Sequence, residues 1–244
     1  MTNHTQGLEM KKIKLITFDL DDTFWDIEPV IINAERSTRK FLENYIGKQE
    51  WGSLSDFLSF RKELIEIDPS LEWDIKGLRR AIYQNKILDS GYSEKDSIEL
   101  VDKCYKFFLE KRHDVTFYDN VFESIKELSA DYSLGVLTNG NADIFNFDIG
   151  KYFDFSISSY DVKSNKPDEG HFVAARNKYN NLRYDEIVHI GDHPINDVRG
   201  ALDIGINAIW FNGMGKEWKE ENIKEPLQFK DWSKITRLIK SNYE

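Results

Sequence analysis

Short apolar runs alternate along most of the chain with stretches whose apolar positions recur every three or four residues. The runs are Ile13 to Phe18, Tyr132 to Leu137, Phe155 to Ser158, Ile187 to Ile190 and Asn207 to Phe211. Their length and their bounding polar residues read as strands buried on both faces. Between them the helical period predicts helices from Asp119 to Ser129, near Ala142 to Ile149, from about Asn196 to Leu202, and near Trp232 to Ile239. A further helix is expected to open at Lys166-Pro167-Asp168, because proline suits a first helical turn. Strands that alternate with helices argue for a parallel sheet covered on both faces, an α/β fold.

From Asp26 to Asp114 the strand signal stops and four amphipathic helices are expected. The first has Pro29 near its start, an expected apolar stripe at Ile31, Ala34, Phe41 and Tyr45, and Gly47 as its stop. The second runs from about Leu54 to Ile67, ahead of Asp68-Pro69, and the third from about Ile75 to Leu88. The fourth starts at Ser93, with Asp96 placed for a capping box and a stripe of Val101, Cys104, Tyr105, Phe108 and Leu109. The expected division is therefore a core of residues 10–25 and 115–244, an inserted helical unit of 26–114, and an untethered tail of 1–9.

Composition narrows the function. A net charge of -10, with no basic run, argues against nucleic acid and anionic membranes as partners. Cys104 is the single cysteine, so no internal disulfide is expected, and its helical company makes it a core residue rather than a reactive thiol. The polar start of the chain has no signal-peptide core, and no apolar run approaches the length of a membrane span. The expectation is a soluble, cytoplasmic protein.

The ends of the expected strands carry the chemistry. Asp19-Leu20-Asp21-Asp22-Thr23 follows the first strand, Thr138-Asn139-Gly140 the second, and Gly191-Asp192 the run Ile187 to Ile190; Lys166-Pro167 and Asp197 lie near. In open α/β sheets, ligands bind at this carboxyl edge. Carboxylates gathered there repel one another unless a cation compensates, and Mg²⁺ favours carboxylate oxygens together with substrate phosphate. Asp19, Asp21 and Asp192 are thus candidate metal ligands. Asp19 suits a nucleophile that forms an aspartyl-phosphate, and Asp21 suits the acid for the leaving oxygen and then the base for water. The Thr138 hydroxyl, the Asn139 amide and the Lys166 charge suit the phosphoryl oxygens. Asp197 could hold Lys166 or the metal's surroundings in place.

These blocks, in this order, resemble the four motifs of the haloacid dehalogenase superfamily across nearly the whole chain after Met10. The resemblance implies a Rossmann-like core with an inserted all-helical (C1-type) cap, Mg²⁺ dependence and hydrolysis of a small phosphorylated metabolite. It also implies that Asp21 lends its backbone carbonyl to the metal and its side chain to acid–base work. Dehalogenase members lack an acid at the position of Asp21. Within the superfamily, Phe18 to Asp26 and Leu137 to Ala142 are similar to bacterial phosphatases of flavin mononucleotide and of the ribitylaminouracil phosphate of riboflavin synthesis. The pair His193-Pro194 departs from relatives that carry a small or acidic residue there. A phosphomutase, or a catalytically idle binding module of the same fold, are the alternatives.

Several residues have ordinary structural readings. His189 alternates with strand residues and reads as a satisfied core histidine, and His193 reads as structural too. Trp25 could line the site or pack in the core. Arg79 and Arg80 read as a solvated helix face. Neither the substrate nor the oligomeric state is fixed by the residues themselves.

Overall fold

The computed structural model describes residues 12–243; the expected tail, 1–9, lies outside them. In chain order the elements begin with β1 (Leu15–Phe18), then four helices, α1 (Ile27–Ile46), α2 (Leu54–Ile67), α3 (Ile75–Asp89) and α4 (Glu94–Arg112). Next come α5 (Val121–Leu128), β2 (Ser133–Thr138), β3 (Phe155–Ser158), α6 (Ser159–Val162) and α7 (Gly170–Arg176). The chain continues through β4 (Ile187–Gly191), α8 (Gly200–Asp203), β5 (Asn207–Phe211), β6 (Leu227–Phe229) and α9 (Ile235–Tyr243).

The six strands of the described residues are all parallel, in the order β3-β2-β1-β4-β5-β6. The chain first builds the sheet from β1 toward β3, then returns to the other side of β1 to add β4, β5 and β6. Strand order therefore reverses beside β1, and such a switch point opens a crevice at the carboxyl edge. The register levels these ends: Phe18 stands beside both Val136 and Ile190. Asp19 continues the ladder by one bond, donating its N–H to the Ile190 carbonyl at 2.9 Å.

Two apolar layers hold the sheet. One packs Ile16, Phe18, Phe24 and Trp25 with Val136, Ile190, Phe211 and Trp232. The other packs Leu15, Leu137 and Ile187 with Phe172, Ala201 and Trp210. Burial at about 25 cal/mol per Å² of apolar surface is the main force behind such layers.

Between β1 and β2 the elements are helical, with a 3₁₀ turn at Pro69–Glu72. Local chemistry sets their ends: Asp26 caps α1, Ser53 and Asp56 form a capping box on α2, Asp74 caps α3 and Ser93 caps α4. These helices have their own core, in which Cys104 is buried with Leu42, Tyr83, Ile87, Leu100 and Val101. Burial pushes the Cys104 thiol up to about 12, as suits a packing residue.

The structure corrects several expectations. The stripe of α1 is Val30, Ala34, Thr38 and Leu42, and Tyr45 is exposed. The neighbours set this face: Leu42 packs with Tyr83 and Ile87 of α3 and with Leu100, Val101 and Cys104 of α4. Arg79 lies on no solvated face: it is ion-paired with Glu35 and stacked 3.7 Å from the Phe108 ring centre. The helix expected near Ala142 to Ile149 is two 3₁₀ turns, Ile144–Asn146 and Asp148–Tyr152. Lys166-Pro167 sits in a turn, and α7 opens only at Gly170. The helix expected from Asn196 begins as a π-helical turn, Pro194–Arg199, before α8. Strand β6 is too short, at three residues, to show a period in the sequence.

Candidate active site

The turn after β1 places three side chains differently. Asp22 adopts a left-handed backbone (φ 59°), and its carboxylate accepts the N–H of Ile27 at the start of α1. The N–H groups of Thr23 and Phe24 both return to the Leu20 carbonyl. This tight turn points Asp19 and Asp21 into different surroundings.

Asp19 is 8% exposed and its Oδ1 accepts a hydrogen bond from Lys166 Nζ at 2.8 Å. The same ammonium donates to Asp197 Oδ1 at 2.6 Å and to the Leu137 carbonyl at 2.7 Å, so all three of its protons are used. Asp197 is fixed further by His189 Nε2 at 3.2 Å and by the His193 N–H at 2.9 Å. His189 in turn meets the Thr17 hydroxyl through Nδ1 at 2.9 Å. Burial lowers the basicity of this ring, and an Nε2 proton is the one that suits the Asp197 carboxylate as acceptor. The short spacing Gly191 to Asp197 has a steric reason. A Cβ on Gly191 would overlap the Asp197 carboxylate.

Carboxylate oxygens of Asp19, Asp192 and Asp197 lie within 4.8 Å of one another. Burial drives the Asp19 carboxyl well above its usual range, with Asp197 and Asp192 adding to it and Lys166 opposing. Burial also raises Asp192, to about 7, helped by Asp197 and Asp22. Asp197 shows the reverse balance: Lys166 and His189 outweigh burial and hold it below the usual carboxylate range. Burial disfavours the Lys166 ammonium, yet Asp19 and Asp197 outweigh that and push it up to about 12. Three carboxylates thus share one buried ammonium, a surplus of acidic groups that a divalent cation would balance. The donors are all hard oxygen atoms, which suits Mg²⁺ rather than a soft metal. The Thr23 hydroxyl stands 3.4 Å from oxygens of both Asp19 and Asp192. Trp210 anchors Asp192 by donating to its carbonyl at 2.7 Å. A cavity of about 630 Å³ adjoins Asp192, lined in part by Asp22, Tyr118, Asn212 and Lys216.

The Asp21 carboxylate lies outside that group. It accepts from Trp25 Nε1 at 3.0 Å and from Arg112 Nη2 at 2.5 and 2.6 Å. Trp25 is fully buried and so belongs to both the core and the site. Across from it, the Thr138 hydroxyl accepts the Gly140 N–H at 2.9 Å, which curls the chain after β2. A Cβ on Gly140 would stand 2.8 Å from Asp21 Oδ2 and 3.2 Å from Thr138 Oγ1, so that position needs glycine for close approach.

Asn139 holds Lys166 through its side chain. Its Oδ1 accepts the Lys166 N–H at 2.7 Å, and its Nδ2 donates to the Lys166 carbonyl at 3.0 Å. His193 caps the π-helical turn through Nδ1. Sequence reasoning missed His171, which donates from Nε2 to the Thr138 carbonyl at 3.1 Å and steadies that strand end. It also missed Arg112. The signal was there: Val101, Cys104, Tyr105, Phe108 and Arg112 lie on one helical face, so a charged residue continues an apolar stripe.

The α1–α4 segment meets the core beside this site. Asn141 Nδ2 donates to the Tyr105 hydroxyl at 3.5 Å, the Asp143 N–H to His113 Nε2 at 3.2 Å, and Asn165 Nδ2 to the Glu72 carbonyl at 3.0 Å. Among the described residues no helix is long and apolar enough to cross a membrane.

Known proteins share both fold and sequence with this chain. One relative is the 5-amino-6-(5-phospho-D-ribitylamino)uracil phosphatase YigB of Escherichia coli, 28% identical over 231 residues, which are 93% of this chain and 97% of that one. The glyceraldehyde 3-phosphate phosphatase of Pyrococcus abyssi is 29% identical over 204 residues, 82% of this chain and 81% of that one. A crystal structure described as a 2-haloacid dehalogenase from Pseudomonas syringae superposes with a TM-score of 0.86 at 33% identity, covering 94% of this chain and 99% of the other. The family model for haloacid dehalogenase-like hydrolases matches residues 13–205, and the chain belongs to that family of hydrolases.

Proposed function

We propose that the chain is a Mg²⁺-dependent phosphomonoesterase acting on a small phosphorylated metabolite through an aspartyl-phosphate on Asp19. The observation that carries this reading is the separation of two carboxylates. Asp19 lies with Lys166 and Asp192, whereas Asp21 lies apart on Trp25 and Arg112. One is placed as a nucleophile and the other as a proton carrier.

In this reading an oxygen of Asp19 attacks phosphorus as the bond to the ester oxygen breaks, and Asp21 gives that oxygen its proton. Asp21 then takes a proton from water, whose oxygen attacks phosphorus as the bond to Asp19 breaks, releasing phosphate. Thr138 and the backbone N–H of Asn139 donate to the phosphoryl oxygens, Lys166 sets its positive charge beside them from its bond to Asp19, and Asp197 holds Lys166 in place. The cation would be held by Asp19, Asp192 and, as the superfamily resemblance implies, the Asp21 backbone carbonyl. Bound there, it would offset the repulsion between carboxylate and phosphoryl dianion. Residues 26–114 act as a cap over the strand ends, with residues 10–25 and 115–244 as the catalytic core.

Asp21 also favours phosphate ester hydrolysis over dehalogenation. Halide departs without needing a proton, whereas an alkoxide needs one. The YigB relative's name makes ribitylaminouracil phosphate the first compound to try, and the resemblance of Phe18 to Asp26 and Leu137 to Ala142 to flavin mononucleotide phosphatases makes flavin mononucleotide the second.

The test is a trapped intermediate. In Asp21→Asn, an aryl phosphate should still phosphorylate the enzyme, since its leaving group needs little protonation, while hydrolysis of the intermediate becomes slow. Mass spectrometry of rapidly quenched samples should find the phosphoryl group on Asp19. Label on Asp21 or Asp22 would reverse the assignment, and wild-type turnover of both aryl and alkyl esters would remove Asp21 from the chemistry.

Metal binding should depend on pH. Because Asp192 is raised to about 7, its proton must leave before the cation is held, so Mg²⁺ affinity falls as pH drops through about 7. The sign for stability follows. A group raised on folding contributes stability below its unfolded value, near pH ~4, and that contribution is lost as pH rises through about 7. The gain in Tm on adding Mg²⁺ should therefore grow between about pH 5 and about pH 8. Thermal unfolding with and without Mg²⁺ measures it, and a gain that is flat with pH contradicts the assignment.

A further inference from the structure

Arg112 stands in the last turn of α4, where a long cation ordinarily reaches solvent. Here it is 1% exposed and crosses to the site. Its Nη2 spans both oxygens of Asp21, while Nη1, equally buried, has no partner among the described residues. An arginine that only neutralises a carboxylate presents two nitrogens to two oxygens. This one uses a single nitrogen and leaves the other unspent. A buried N–H of a charged group without an acceptor is unfavourable, so such groups in native sites commonly await a ligand or water.

The unspent nitrogen belongs to a guanidinium at the reacting centre. The Cβ position of Gly140 lies 2.8 Å from Asp21 Oδ2, 3.2 Å from Thr138 Oγ1 and 3.7 Å from Arg112 Nη2. The Asp21 carboxylate, the Thr138 hydroxyl and the guanidinium, through Nη2, thus stand around the same turn of chain at Gly140. An ester oxygen that takes a proton from Asp21 must lie beside it, and the first carbons of the leaving group beyond it.

We propose that Arg112 reads the leaving group. Its Nη1 donates to a neutral oxygen, a hydroxyl on the carbon next to the ester carbon, while Nη2 keeps Asp21 aligned on the ester oxygen. The favoured substrates are then phosphate esters of polyols rather than of hydrocarbon alcohols. The inference rests on the phosphomonoesterase reading of the site. Charge favours a neutral acceptor over a carboxylate. Asp21 balances Arg112 whenever it is ionised, Glu35 balances the neighbouring Arg79, and the carboxylates of Asp19, Asp192 and Asp197 gathered in the same site disfavour a further anion.

The experiment compares 1,2-propanediol 1-phosphate with propyl phosphate, two alkyl esters that differ by one hydroxyl, and uses an aryl phosphate as a third substrate. In the wild-type enzyme with Mg²⁺, kcat/KM should favour the diol ester by at least about 10-fold, mostly through KM. In Arg112→Lys, which keeps a charge but loses the second nitrogen, and in Arg112→Gln, the preference should shrink to within about 2-fold. Turnover of the aryl ester should fall by less than that of the diol ester. Equal handling of the two alkyl esters by the wild type overturns the inference, and this arm needs no variant to fold. Loss of kcat/KM by the same factor on both alkyl esters in a folded variant also overturns it, because Arg112 would then serve Asp21 alone. Absence of any phosphate release, the aryl ester included, instead defeats the phosphomonoesterase reading itself.

Discussion

Replacing Asp19 with Asn is expected to lower turnover by at least ~10³-fold while the protein stays folded. The amide has the shape of the carboxylate but neither its nucleophilicity nor its charge for a metal. It should not unravel the surroundings. Lys166 retains Asp197 and the Leu137 carbonyl as partners, and the Asn carbonyl oxygen can still accept its third proton. Burial already disfavours the charged form of Asp19, so a neutral side chain is tolerated there. Lys166 would be a poorer probe. Removing that ammonium leaves buried carboxylates uncompensated, a loss of about 3–5 kcal/mol that mixes stability with chemistry. Phosphate release from an aryl ester, together with Tm, measures the Asp19 effect. Near-normal turnover in a folded Asp19→Asn protein would end the nucleophile assignment.

Removal of divalent metal should be equally severe. Activity is expected to drop to background in thorough chelation and to return with Mg²⁺. Without a cation, the attacking carboxylate, Asp192 and the phosphoryl dianion face one another with one ammonium among them. Ca²⁺ should inhibit rather than replace Mg²⁺, because its larger and more variable shell permits poor attack geometry. Titration of chelator against phosphate release checks both statements, and full activity at metal-free equilibrium would exclude the proposal.

The alternation of short apolar runs with helical periods was enough to determine the class of fold. A strand buried on both faces is apolar at most positions, and β1, β2, β4 and β5 fall on such runs. Polar residues directly after those runs had to lie at the carboxyl edge, which made Asp19, Thr138 and Asp192 legible as one group. A helix start was legible where a side chain caps its own backbone, as Ser93 does.

Other features needed the tertiary structure, because they depend on partners far apart in the chain. Strand order, with β4 beside β1, follows from how crossovers pack and not from any one segment. The face that α1 buries was set by its neighbours α3 and α4, which moved the stripe from Tyr45 to Leu42. That Asn139 clamps Lys166 and that His189 braces Asp197 are contacts across the sheet edge. The clearest case is Arg112, which is 91 residues from Asp21. Sequence can mark it as a charge on an apolar stripe. Only the packing of α4 against the turn after β1 decides that this charge ends on a carboxylate of the site, since an ion pair is fixed by distance in space and not by spacing along the chain.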